Sequence, residues 1–313
     1  MKDSIRVFAP ATVANVGCAF DVLGFALHEP GDELILKPNF ENTVRVISIE
    51  GDGGVLSKDP QFNTASVALN AMLTSMGSRQ GFDIYLRKKM PLGSGLGSSA
   101  ASAVAAIFAA NEMLEKPLTL RELLPFAMEG ERLACGSAHA DNVAPSLLGG
   151  FVLIPSYQPL IIRTLPVPEG LTAVVVHPEI EVKTRDARDV LRQKISLQSA
   201  SSQWGRVGGL ITSLFTSDFE LLAASLDDQI VEPTRAVLIP GFYRVKQAAL
   251  ENGALGCSIS GSGPSVFALC GPGSDPALVA NAMKKAFLEI QIPATAYTSE
   301  INRKGPVVLE SGD

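Results

Sequence analysis

Soft-metal ligands are scarce in this chain, which has three histidines and four cysteines among 313 residues. The cysteines, Cys18, Cys135, Cys257 and Cys270, form no CxxC pair. They read as small buried hydrophobes in a reducing compartment, and with so few histidines a His/Cys zinc site is not expected. Long apolar runs are missing as well. No uninterrupted stretch of about 18 apolar residues occurs, so no membrane span is expected. The opening "MKDSIRVFAPATVANVG" has an acid at position 3 and no apolar core, which does not fit a signal peptide; a cytoplasmic protein is expected. Basic charge is in short supply too. Lys and Arg number 26 against 32 Asp and Glu, and the net charge of −6 argues against nucleic acid or an anionic membrane as partner. It leaves room for a local basic pocket that holds an anionic small molecule.

What is present is a globular composition, 46% apolar and 19% charged, in a chain long enough for two domains. In the first half "SIRVFAP", "DELILKP", "TVRVISIE" and "FDIYLRKK" alternate like strands. "NTASVALNAMLTSMG" has helical periodicity, and helices are predicted over about 97–114 and 119–134, the second opened by a Thr119/Glu122 capping box. "GGFVLIP" reads as a strand, and the proline-bearing "SYQPLIIRTLPVPEG" is the candidate boundary between domains at 1–160 and 161–313. Beyond it come the strand "LTAVVVH", helices near 185–195, 199–216, 218–229 and 240–252, a glycine turn between two short strands, a helix near 275–290 and the strand "ATAYTSE". Strands and helices cluster rather than alternate, so an α+β fold is predicted over a doubly wound sheet.

The stretch "PLGSGLGSSAAS", Pro91–Ser102, runs into the helical "AVAAIFAANEML". Glycines before a helix N-terminus suit a phosphate, because unpaired N–H groups and the helix dipole point at the anion. The lysine of the common nucleotide loop is absent, and the G-x-G-x-x-G fingerprint fits poorly. On this loop alone, a phosphate cradle and a tight turn before a buried helix both stand. Three other segments bear on the choice. "PATVANVGCAFDVLG" places Asn15 and Asp21 among small residues. "EGERLACGSAHADNVAPSLLGG" gathers Glu131, His139, Asp141 and Asn142. "SISGSGPSVFAL" is a second glycine–serine turn, and "KTRDARDVL" with Arg235 adds cations.

In this order the four segments resemble the GHMP kinase superfamily, over nearly the whole chain. "PLGSGLGSSAAS" is similar to its phosphate loop and "SISGSGPSVFAL" to its C-terminal glycine motif. Within the superfamily, "FAPATVANVGCAFDVLGFAL" and "GSAHADNVAPSLLGG" resemble the homoserine kinases most closely. One departure is that Cys18 and Ala19 stand where that family's turn carries glycine and proline, while Asn15 and Asp21 keep their spacing. The resemblance implies a two-domain α+β fold, with an N-terminal domain like the second domain of ribosomal protein S5 and a ferredoxin-like C-terminal domain. The site would lie between them.

The implied reaction is phosphorylation of the L-homoserine side-chain hydroxyl by ATP with Mg²⁺, a step of threonine biosynthesis. The implied nucleotide residues are Pro91, Leu92, Gly93, Ser94, Gly95, Leu96, Gly97, Ser98, Ser99, Ala100 and Ala101, with Asn63, Lys88 and Lys89. Ser98, Ser99 and Glu131 are implied for the metal, Arg188 and Arg235 for the substrate carboxylate, and Asp21 and Asp141 for its ammonium. Asn15, His139, Thr184 and Gly261 would fix the alcohol end and nearby backbone, and Asn142 would orient the acceptor without acting as a base. The alternatives are a mevalonate- or shikimate-type kinase and a non-catalytic ligand-binding member of the fold. Apolar β-rich surfaces are compatible with a homodimer.

Overall fold

The computed structural model describes residues 3–136 and 139–312, apart from the side chain of Cys135. Two residues of the segment Glu129–Gly150, Ser137 and Ala138, therefore lie outside the described residues, as does the expectation for the Cys135 side chain. Strand β1 (Ser4–Ala14) alternates buried and half-buried positions and then becomes wholly buried, so its far end enters the interior. It pairs antiparallel with β2 (Leu23–Asn39), which pairs in turn with β4 (Gly81–Arg87); β3 (Val44–Glu50) runs parallel to β4. Between β3 and β4 lies α1 (Thr64–Ser75), capped by the Asn63 side chain.

Helix α2 (Ser98–Asn111) is built mostly from Ala and Ser, with nearly every position buried. Small side chains let it sit against the sheet with α1 and α3 (Leu120–Cys135) packed around it. The Thr119/Glu122 capping box is present at the start of α3. Helix α4 (Ala140–Leu148) leads into the hairpin of β5 (Phe151–Tyr157) and β6 (Leu160–Leu165), and β5 also pairs with β2.

The second layer starts at β7 (Thr172–Pro178) and continues through α5 (Thr184–Asp189), α6 (Leu197–Thr216), α7 (Phe219–Ser225), α8 (Glu232–Arg235) and α9 (Phe242–Glu251). Strands β8 (Gly256–Ile259) and β9 (Val266–Cys270), helix α10 (Pro276–Leu288) and strand β10 (Ala294–Glu300) complete an antiparallel sheet in the order β10-β7-β9-β8. Its apolar face is covered by α9 and α10.

Two strands depart from the sequence expectation. The proline-bearing boundary segment 156–170 contains β6, the outer strand of a hairpin with β5, in which Ile162 and Leu165 are the buried positions. The C-terminal strand β11 (Val307–Gly312) crosses back to pair with β1, so the first sheet holds seven strands drawn from both ends of the chain. The expected division at 160/161 is thus crossed twice. The two layers also share a core, with the Phe25 ring tilted against Phe151 at 4.9 Å and edge-on to Phe267 at 6.0 Å. Cys18, Cys257 and Cys270 are buried free thiols, and burial pushes each of them up in pKa.

Candidate functional site

A cavity of about 500 Å³ opens between the layers, and all four sequence segments reach it. Its first wall is the phosphate-type loop. A buried cluster anchors both ends of that loop. The Lys88 ammonium donates to the Asp32 carboxylate, to Ser98 O (2.9 Å) and to Ser102 Oγ (2.7 Å). Asp32 also accepts from the backbone N–H of Lys89 (2.7 Å) and Met90 (3.2 Å) and from Ser98 Oγ (2.9 Å). The segment leaving β4 and the first turn of α2 are thereby tied to β2. Burial lowers the Lys88 pKa, and the Asp32 carboxylate opposes that shift.

Between these anchors Gly93, Gly95 and Gly97 all have positive φ. Gly97 occupies the helix cap at φ +68° with no side-chain cap, so the first amides of α2 face the cavity beside Ser98 and Ser99. The second glycine turn packs on the first. Ser260 Oγ donates to Gly95 O (2.7 Å), and Ser265 N donates to Ser94 O (3.2 Å). A Cβ on Gly95 would stand 2.4 Å from Ser260 O, so only glycine permits this approach. The Ser94 hydroxyl is buried in the loop with no hydrogen-bond partner among the described residues. Beside the loop, Ser99 Oγ donates to Glu131 Oε2 at 3.0 Å across the α2–α3 contact.

The opposite wall is polar and carries both signs of charge. Asn15, itself at positive φ, donates from Nδ2 to Gly261 O (3.0 Å) and accepts from the Asp21 N–H (2.8 Å). Asp21 receives both terminal nitrogens of Arg188, at 3.0 and 3.2 Å, in a bidentate pair. Arg235 is buried, donating to Ala187 O (3.0 Å) and Gly261 O (2.9 Å), and burial pulls its pKa down to about 10. Both guanidiniums lie over the Phe20 ring, at 5.0 Å for Arg235 and 5.7 Å for Arg188. Thr184 Oγ1 meets Ser262 Oγ at 3.3 Å.

The Asp141 carboxyl is enclosed. Burial first, then the Asp21 and Glu131 charges, push its pKa up to about 7. Both ring nitrogens of His139 are buried without a hydrogen bond to any described residue, 3.9 Å separates Nδ1 from Asp21, and burial lowers the imidazole pKa. Tyr157 spans the wall, accepting from Ala140 N (3.2 Å) and donating to Asp21 O (3.0 Å).

Most of the expected site residues therefore share one cavity, with exceptions that have physical reasons. Lys88 lines the cavity, but its three donors are spent on Asp32, Ser98 and Ser102, so it anchors the loop and is not free to take a phosphate. Lys89 pairs with Glu33 and does not line the cavity. Asn63 lines it too, yet its amide caps α1 at Ala65 N and donates to Ser57 O. Pro91, Leu96, Ala100 and Ala101 do not line the cavity. Leu96, Ala100 and Ala101 belong to the core, and the Ala101 N–H is used inside α2 by Gly97 O.

Sequence reasoning missed Thr12, Phe20, Asp32 and Tyr157, which hold lining residues from behind, as well as the apolar lining residues Leu56, Phe62 and Leu133. Phe20 and Asp32 could have been suspected, one adjoining Asp21 and the other an acid inside a strand pattern; Thr12 and Tyr157 carry no such signal. Among the described residues no group of three or more His, Cys, Asp or Glu side chains is placed to hold a metal by itself.

Known proteins match this chain along nearly its whole length. The family model for the GHMP kinases N terminal domain matches residues 63–150, and that for the GHMP kinases C terminal matches 210–289. Homoserine kinase of Chlorobium phaeobacteroides (strain BS1) is 51% identical over 98% of this chain and 99% of its own length. That of Chlorobaculum tepidum is 52% identical, again over 98% and 99%. The crystal structure of homoserine kinase from Cytophaga hutchinsonii superposes with a TM-score of 0.96 at 56% identity, over 99% of this chain and 98% of that one. Leishmania major mevalonate kinase, solved with R-mevalonate, shares the fold at a TM-score of 0.72 and 19% identity, over 96% and 98% of the two chains.

Proposed function

The chain belongs to the homoserine kinases of the GHMP kinase family, and from that membership we infer that it moves the terminal phosphoryl group of ATP to the side-chain hydroxyl of L-homoserine. The products are ADP and O-phospho-L-homoserine, an intermediate of threonine biosynthesis. One observation carries the reading: a phosphate-type helix N-terminus and a wall with both a paired carboxylate and two guanidiniums face each other across a single cavity.

The amides of Gly93–Ser99 would cradle the phosphates, and the apolar lining residues Leu56, Phe62 and Leu133 suit a nucleotide base. The oxygen pair of Ser99 and Glu131 fits Mg²⁺, a hard cation that takes one or two protein oxygens and completes its shell with phosphates and water. Ser99 is the better candidate, because its hydroxyl already stands beside Glu131 whereas the Ser98 hydroxyl is turned to the buried Asp32. Bound there, Mg²⁺ would neutralise charge on the β and γ phosphates.

At the other wall, Arg188 and Arg235 would take the substrate carboxylate, with Asp21 and Asp141 on the ammonium. Thr184, His139 and the Asn15–Gly261 contact would fix the remaining backbone. Asn142 would orient the acceptor. With a loose transition state, positioning and charge neutralisation carry the catalysis and no strong base is required.

Analogues that lack one head group test this arrangement. Removing either the ammonium (4-hydroxybutyrate) or the carboxylate (3-aminopropan-1-ol) should cost roughly a hundredfold or more in kcat/KM. Equal turnover of 4-hydroxybutyrate would refute the acidic half of the site. A cytoplasmic location and a homodimer complete the proposal. Leu197, Trp204 and Phe215 are exposed on α6 and fall within about 20° of one line on an ideal helix, a row that a second copy would cover. Sedimentation of wild type and Trp204→Glu would decide whether they do.

A further inference from the structure

Thr12 is fully buried at the inner end of β1, just past the point where the pairing with β2 shifts register between Pro10 and Thr12. Such an irregularity re-aims a side chain, and here the hydroxyl meets the site. Thr12 Oγ1 lies 2.7 Å from Asn142 Oδ1, while the Thr12 N–H donates to Leu96 O of the phosphate-type loop at 2.9 Å. Gly97 makes room for this contact. A Cβ there would lie 2.1 Å from Thr12 Oγ1 and 3.0 Å from Asn142 Oδ1. A hydroxyl has a single donor, and this one is spent on the amide oxygen. What Asn142 has left for the cavity is its NH₂, which makes no hydrogen bond to any described residue.

We propose that Thr12 is a positioning residue for phosphoryl transfer: it holds the Asn142 amide with its NH₂ toward the reacting oxygens and ties that orientation to the phosphate loop. The proposal rests on the kinase reading above and deepens it. An NH₂ group donates to an oxygen that carries negative charge and cannot accept a proton. Asn142 so held stabilises the transferring phosphoryl group or aligns the acceptor oxygen, and it does not act as a base. Without the Thr12 hydroxyl the amide can turn over and present its carbonyl oxygen to an anionic phosphate, where it repels.

The test is a double-mutant cycle on the full-length enzyme with L-homoserine and Mg-ATP. Thr12→Val, close in shape but without the hydroxyl, should lower kcat by roughly tenfold to a hundredfold, as loss of an oriented donor does, with both KM values within about twofold. Thr12→Ser should restore most of kcat. Asn142→Ala should lower kcat similarly, and the double variant should be no slower than Asn142→Ala alone. Thr12→Ala makes the same comparison if the valine variant fails to fold, with thermal melts recorded for each protein. Wild-type kcat in Thr12→Val, or losses that multiply in the double variant, overturns the role of Thr12 while leaving that of Asn142 intact. An Asn142→Ala enzyme with unchanged kcat overturns both.

Discussion

Asp21 and Arg188 satisfy each other across the cleft through two hydrogen bonds, and Arg188 and Arg235 share the Phe20 ring. A zwitterion entering between them exchanges one ion pair for two, its carboxylate taking the guanidiniums and its ammonium the acids. Asp21→Asn should therefore raise the homoserine KM by roughly tenfold or more while kcat falls only modestly, since a charge-assisted hydrogen bond is worth about 1.5–3 kcal/mol. A collapse of kcat at constant KM would instead make Asp21 the base. Asp141 adds a pH dependence. Its folded-state pKa of about 7 lies above the ordinary aspartate value of about 3.9, so between these limits the folded protein holds the extra proton. Its effect on stability is therefore most favourable below pH 4, worsens as the pH rises toward 7 and levels off beyond. Melting curves should show Asp141→Asn more stable than wild type at pH 8 and equal to it near pH 4. The homoserine KM of the wild type should fall as the pH climbs through 7, because pairing with the ammonium needs the ionised carboxylate.

The phosphate-type loop is held in shape as an element by the buried Lys88–Asp32 pair, which joins β2, the exit of β4 and the first turn of α2. Lys88→Met leaves the carboxylate buried with its remaining donors, and should destabilise the fold by about 3 kcal/mol in urea titration while raising the KM for ATP. Gly97→Ala should be worse for activity than for stability, because the added methyl collides with the Thr12–Asn142 contact at φ +68°. The sequence made the loop conspicuous, with three glycines directly before a run of small apolar residues, but that pattern serves a tight turn equally well, and only the other three segments decided between the two. It also showed the polar segments at Asn15, Asp21 and His139–Asn142, because such residues are conspicuous among small ones. It could not show that Lys88 is spent on a carboxylate 56 residues away, nor that Thr12 meets Asn142 across 130 residues. Pairings of that range depend on the assembled sheet. The hairpin strand β6 was hidden by its flanking prolines, and β11 by an exposed pattern with no buried face to register.

At the scale of the whole molecule the two layers are fastened where the chemistry occurs. Gly261 O receives both Asn15 and Arg235, Ser260 reaches Gly95, and β11 returns the chain end to the first sheet. With a core shared across Phe25 and Phe267, calorimetry should record one cooperative unfolding transition rather than two, shifted upward by Mg-ATP. One cleft thus brings a phosphate cradle and an amino-acid clamp together, an arrangement for phosphoryl transfer to an alcohol. Such transfer is tested most directly by incubating the purified protein with Mg-ATP and L-homoserine, mevalonate or shikimate in parallel, and following ADP together with the phosphorylated product by mass. O-phospho-L-homoserine should form one-to-one with ADP, dependent on Mg²⁺ and abolished by chelation. Turnover of mevalonate or shikimate without turnover of homoserine, or ATP binding with no transfer to any alcohol, would contradict it.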